Sequence, residues 1–154
     1  MGIVYIYGDP TDFEEGDGLH FIGGAWRTRG MLAEGDLTPG NVNAFAFNWQ
    51  NPHANPLIVK RVFLDITTPG GVAGGELDCG SAAGTGVHSD NLIDGCDPDV
   101  QTVYDNLGDP GANGKMKQRL DANGGATDWL TCQILLQNEL ALAGKYYIEY
   151  IEEI

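Results

Sequence analysis

An all-β chain, arranged as an antiparallel β-sandwich or jelly roll, is what this sequence predicts, and three observations predict it. Short β-branched and aromatic runs recur: Ile3–Tyr7, Val42–Trp49, Leu57–Thr67, Asp128–Leu136 and Lys145–Ile154. Gly, Pro and Asn turns separate them, such as Asn55-Pro56, Thr68-Pro69-Gly70-Gly71 and Asn123-Gly124-Gly125. Only one stretch, Pro98–Leu107, has a helical pattern. Many short strands with turn residues between them and little helix is the pattern of stacked antiparallel sheets.

Leu57–Thr67 is the segment around which the others are expected to arrange. Alternation puts Ile58, Val62, Leu64 and Ile66 on one face with Lys60. It puts Leu57, Val59 and Phe63 on the other with Arg61, Asp65 and Thr67. Apolar residues on both sides predict a central strand covered on each face.

Residues 1–40 read as an N-terminal arm. It holds the strand Ile3–Tyr7, the acidic loop Gly8–Gly18, and a mixed stretch with a strand near Trp26–Met31. Residues 41–154 read as the sandwich domain. Phe45, Phe47 and Trp49 share one face of the strand Val42–Trp49. That strand is expected to pair with Leu57–Thr67 through the loop Gln50–Pro56. Glu76–Ala82 is a short strand with Leu77 and Cys79 inward.

A short helix is expected next. Asp97 suits the N-cap and Pro98 the first turn. Val100, Val103, Tyr104 and Leu107 follow i, i+3, i+4, i+7, and Gly108 suits the stop. Lys115–Asp121 alternates Lys115, Lys117 and Arg119 against Met116, Gln118 and Leu120. The turn Asn123-Gly124-Gly125 joins it to Asp128–Leu136 as a hairpin. There Leu130, Cys132, Ile134 and Leu136 point inward, and Trp129, Thr131 and Gln133 outward. Tyr146, Ile148 and Tyr150 share a face of the last strand.

The chain of 154 residues has the length of one domain. Its net charge of -14 repels phosphate backbones and anionic membranes, so neither nucleic acid nor membrane is an expected partner. Three cysteines, Cys79, Cys96 and Cys132, make no disulfide framework and read as small buried hydrophobes; pairing of Cys79 with Cys96 stays open. The opening MGIVYIYGD lacks a basic n-region, so synthesis in the cytoplasm without a Sec signal is expected.

No catalytic constellation stands out, and the expectation is a protein that is not an enzyme. His20, His53 and His88 sit in apparent loops, and Val87-His88-Ser89-Asp90 lacks the elbow of a nucleophile. No cofactor is expected except calcium. Asp90, Asp94, Asp97 and Asp99 crowd one turn, offering the oxygen donors a hard cation takes, although Asp also favours turns and caps for its own sake. Interface candidates are the apolar Ile3, Tyr5, Tyr7 and Trp26 of the arm, and Lys115, Lys117 and Arg119. The three basic residues read as charge guarding an edge strand, or as a stripe meeting another subunit's acidic surface.

Several segments resemble tailed-phage virion proteins encoded among head genes. They are Trp49-Gln50-Asn51-Pro52, Ile58–Thr67, Ser89–Gly95, Gly114–Leu120, Asp121–Gly125 and Gly144–Tyr150. The resemblance spans Asn48–Ile151 and rests on structural motifs, so it carries over no active-site residues. It implies a capsid decoration (cement) protein or head fibre component on the virion exterior. The implied partners are the major capsid protein and copies of itself, with trimers at threefold positions common among such proteins. The alternative expectation is a calcium-assisted carbohydrate- or receptor-binding sandwich, with Trp26, Trp129 and the tyrosines stacking on sugars.

Overall fold

The computed structural model describes residues 19–22, 25–28 and 30–153; side-chain surroundings are described from residue 30 onward. The strand expected at Ile3–Tyr7 and the acidic loop lie outside the described residues. β1 (Leu19–Ile22) and β2 (Ala25–Thr28) form a two-stranded antiparallel ribbon. The other strands are β3 (Met31–Asp36), β4 (Phe45–Gln50), β5 (Leu57–Thr68), β6 (Glu76–Ala82), β7 (Ile93–Cys96), β8 (Val103–Asp105), β9 (Gln118–Leu120), β10 (Trp129–Leu135) and β11 (Ala143–Glu152).

These strands form two antiparallel sheets, the sandwich that the sequence predicts. One has the order β4-β10-β6-β7. The other has the order β3-β11-β5-β8, with β9 also pairing β5. Leu64, Val62 and Ile148 from one sheet and Leu77, Leu130 and Ile134 from the other share a single core, all fully buried. Each such side chain contributes about 1.5–3 kcal/mol relative to exposure. Aromatic rings join the layers: Phe47 stacks on Tyr146 at 4.1 Å, and Trp49 meets Tyr150 at 5.4 Å.

β5 is central in its sheet, but it is not buried on both faces. Leu57 and Val59 are buried, and so are Val62, Leu64 and Ile66, although the two sets differ in parity. The register explains this. Arg61 opposes Glu149 and Val59 opposes Tyr150, so Lys60 is an extra residue in a bulge. The bulge returns both sets to the core and leaves Lys60 exposed.

The expected helix at Pro98–Leu107 is absent. Asp97 does cap a turn, accepting the Asp99 amide at 2.8 Å, but the chain then extends into β8. β8 supplies partners to Phe63–Asp65 on the open edge of β5, where unpaired amides would otherwise be left. Of the predicted stripe only Tyr104 packs against the core; Val100, Val103 and Leu107 are all exposed. Between β8 and β9, the fully buried Asn106 stands in for a strand. It accepts the Val62 amide at 2.8 Å and donates to the carbonyls of Lys115 and Met116.

Two expected hairpins are arches between sheets. β4 pairs β10 rather than β5, and β9 pairs β5 rather than β10. Asn51, fully buried, fixes the first arch by donating to the carbonyls of Asn55 and Asp121 at 3.0 and 2.7 Å. The second arch is closed by Thr127, whose amide donates to Asp121 Oδ2 and whose carbonyl accepts the Asp121 amide. The sheet also extends further toward the N-terminus than position 41. β3, assigned to the arm from sequence, pairs β11 from Met31↔Tyr150 to Asp36↔Lys145.

Candidate functional site

β6 and β10 are buried on both faces, which the alternation of DWLTCQILL did not suggest. The connection from Ala83 to Leu92 folds back over the outer face of their sheet. Thr131 Oγ1 donates to the Val87 carbonyl at 2.8 Å, and the Gly86 amide donates to Asn48 at 3.2 Å. Thr131, expected to face outward, is therefore covered, and Gln133, expected to do the same, is buried with its side chain donating to the Asn43 carbonyl at 3.1 Å. Gly80 is needed there, because a Cβ would strike Ser89 Oγ and Asn91.

Under this connection lies a cluster of carboxylates. Leu77 and Cys79 face the core, so Asp78 between them faces outward, and it is only 4% exposed. The end of the connection brings Asp90 to it, and β7 brings Asp94. One carboxylate oxygen from each of the three lies within 4.8 Å of the others. The Gly95 amide donates to Asp78 Oδ1 at 2.8 Å, and His88 Nε2 lies 2.7 Å from Asp78 Oδ2. Asn113 spans the other two, its amide donating to Asp94 and its side chain to Asp90, both at 2.9 Å. The donor set is oxygen, the kind a hard cation takes.

Two of the four acids expected at this site belong to it. Asp90 and Asp94 converge, whereas Asp97 and Asp99 are not in the trio: Asp97 caps its own turn, and Asp99 Oδ1 accepts the Gly71 amide at 3.1 Å. Asp78 was missed by sequence reasoning. Its signal was a carboxylate at the centre of a strand whose neighbours are apolar.

His88 pairs with Asp78, and Ser89 Oγ packs over Gly80. His53 meets Tyr150 Oη at 3.1 Å and Glu152 at 3.4 Å. His20 lies on β1.

The interface candidates divide. Ile3, Tyr5 and Tyr7 lie outside the described residues; Trp26 lies on β2, paired with Phe21. Lys115 and Lys117 are exposed on the approach to β9. Arg119 grips Glu153 with two nitrogens, at 3.0 and 2.6 Å, so part of the basic stripe is already neutralised. A separate cleft of about 360 Å³ opens beside the β5 bulge, lined by Gly30, Met31, Leu32, Lys60, Glu149 and Tyr150. No family model, curated protein or solved structure matches the chain.

Proposed function

We propose that this chain is a structural virion protein, a capsid decoration protein that binds the outside of a phage head through oligomeric contacts. The observation that carries the reading is where the segments of the resemblance meet. Trp49–Pro52 and Asp121–Gly125 are far apart in sequence, yet Asn51 donates to the Asp121 carbonyl and Asn123 donates to the Asn51 carbonyl at 2.8 Å. Ser89–Gly95 and Gly114–Leu120 meet likewise: the Lys115 amide and Gln118 Nε2 both donate to the Asn91 carbonyl. Residues that carry the likeness to head proteins thus build one hydrogen-bonded frame. That is the role expected of motifs in a structural protein.

Two further features support it. A net charge of -14 suits the outside of a capsid better than its DNA-lined interior. One end of the sandwich exposes Val72, Val100, Leu136 and Leu140, on three loops tied together through Gly70 and Gly71. Leu136 also has φ 63°, a conformation a leucine rarely takes, while 60% exposed. We assign this end to contact with the shell or a second copy. In the test, purified chain is incubated with heads assembled without it and sedimented. Saturable co-sedimentation, lost on Leu136→Asp with Leu140→Asp, is expected; a chain left wholly in the supernatant counts against the reading.

The Asp78–Asp90–Asp94 cluster favours a second reading, a calcium-assisted carbohydrate- or receptor-binding module. It expects glycan binding that Asp90→Asn with Asp94→Asn abolishes. A glycan array with no signal in calcium rejects it.

A further inference from the structure

Glu139 is fully buried, and neither of its carboxylate oxygens has a hydrogen-bond partner. Its backbone is pinned on both sides of the residue: the Gly40 amide donates to its carbonyl at 3.1 Å, and its amide donates to the Gly40 carbonyl at 2.8 Å. The carboxylate is therefore directed, not stray. It enters a space kept open by two glycines. A Cβ at Gly70 would fall on Oε2, and one at Gly75 on Oε1.

Asp99 stands at the same place. Its Oδ1 holds the Gly71 amide, and its Oδ2 is buried with no partner. The Gly70 amide donates to the Pro98 carbonyl, and the Ala141 amide to the Gly70 carbonyl. Three loops, around Gly70, Asp99 and Glu139, are thus stitched together around three unpartnered carboxylate oxygens.

Burying ionised carboxylates without compensation costs several kcal/mol, and acids are normally buried with a cation or a metal. Arg61, Arg119 and Lys145, the described Lys and Arg residues in ion pairs, bind Asp105, Glu153 and Asp36. We infer that Glu139 and Asp99 hold a hard divalent cation, with calcium the fitting ion, which clamps the three loops at this end of the sandwich. Glu139 offers both oxygens for bidentate ligation and Asp99 offers Oδ2. Backbone carbonyls and water complete the six to eight oxygens that calcium takes. The site is separate from the Asp78 cluster and does not depend on the capsid reading.

The test uses the full chain, stripped with EDTA and titrated with calcium by calorimetry, with melting followed in parallel. Calcium at about 100 times its Kd is expected to raise the midpoint by roughly 5–10 °C. Glu139→Gln, which keeps shape and removes charge, is expected to delete one binding event and most of the rise. Asp99→Asn provides the same test at the other ligand. Asp94→Asn leaves the event intact. If the stripped wild-type chain binds no calcium and its midpoint ignores the ion, the inference is overturned. It is equally overturned if Glu139→Gln melts higher in EDTA yet retains every calcium-binding event, which would mean that a shared proton neutralises the pair.

Discussion

The Phe47 ring lies 4.1 Å from the Tyr146 ring with the planes 22° apart, and this stack joins β4 of one sheet to β11 of the other. Phe47 is 5% exposed, so nothing but protein replaces the contact when it is cut. Phe47→Ala is expected to cost about 3–5 kcal/mol, read as a lowered midpoint in urea with an unchanged m-value. A loss under about 1 kcal/mol would mean the sheets are held together elsewhere.

The bulge at Lys60 sets the register of the longest strand. Lys60→Ala changes only an exposed side chain and is expected to stay within about 0.5 kcal/mol of wild type. Deleting Lys60 instead removes the extra residue and leaves Leu57, Val59, Val62, Leu64 and Ile66 in one unbroken alternation on the core face. The deletion is expected to keep a cooperative transition in circular dichroism, whereas inserting a second residue beside Lys60 turns one set out of the core and is expected to abolish it. A deletion variant with no cooperative transition would refute the assigned register.

Cys132 sits opposite Cys79 in the β10–β6 ladder, and Cys96 opposite Leu77. All three thiols are free and buried, so the Cys79–Cys96 pairing left open by the sequence is not formed. The hydrogen bond to Cys79 and then burial push the Cys132 thiol up; burial and then the neighbouring Cys132 do the same for Cys96. Native chain is expected to resist a thiol reagent such as DTNB, with all three thiols reacting on unfolding. Fast reaction of Cys79 or Cys132 in native buffer would show that the sheet centre opens.

Two carboxyls give opposite pH dependences. Burial, then the charges of Asp99 and Asp97, push Glu139 up. Such a group binds more protons folded than unfolded. Its contribution is full below the ordinary carboxylate range and is lost as pH rises through the raised value. Asp105 behaves the other way. Burial pushes it up, but the Arg61 hydrogen bond, the amides of Gly108 and Leu107, and the Arg61 charge bring it below the usual range. Its contribution is present above that range and lost as pH falls. In EDTA, wild type is expected to lose midpoint relative to Glu139→Gln as pH rises from roughly 5 to 8, and relative to Arg61→Leu as pH falls below roughly 4. Parallel curves would remove both assignments.

What the sequence made legible was local. Period-two patterns located β4, β5, β6, β10 and β11, because each buries one face in a shared core. The faces of β5 were misjudged because alternation assumes no inserted residue, and Lys60 is one. The Asp97–Leu107 stretch looked helical because its caps are also turn signals; the open edge of β5 decided between them. Asn51 read as a loop residue and Asn106 as part of the expected helix, yet each is wholly buried with its bonds made to distant backbone. The candidate sites were half legible for the same reason. Asp90 and Asp94 are neighbours in sequence, whereas Asp78 reaches them only through sheet pairing, and Glu139 reaches Asp99 only through the meeting of three loops.

We propose that this sandwich decorates a phage head. Cryo-electron microscopy of heads assembled with and without the chain tests it most directly. The predicted result is added density on the outer capsid surface that accepts the two-sheet sandwich, with the Val72, Leu136 and Leu140 end against the shell or a neighbouring copy. A difference map with no added density on the head would contradict it.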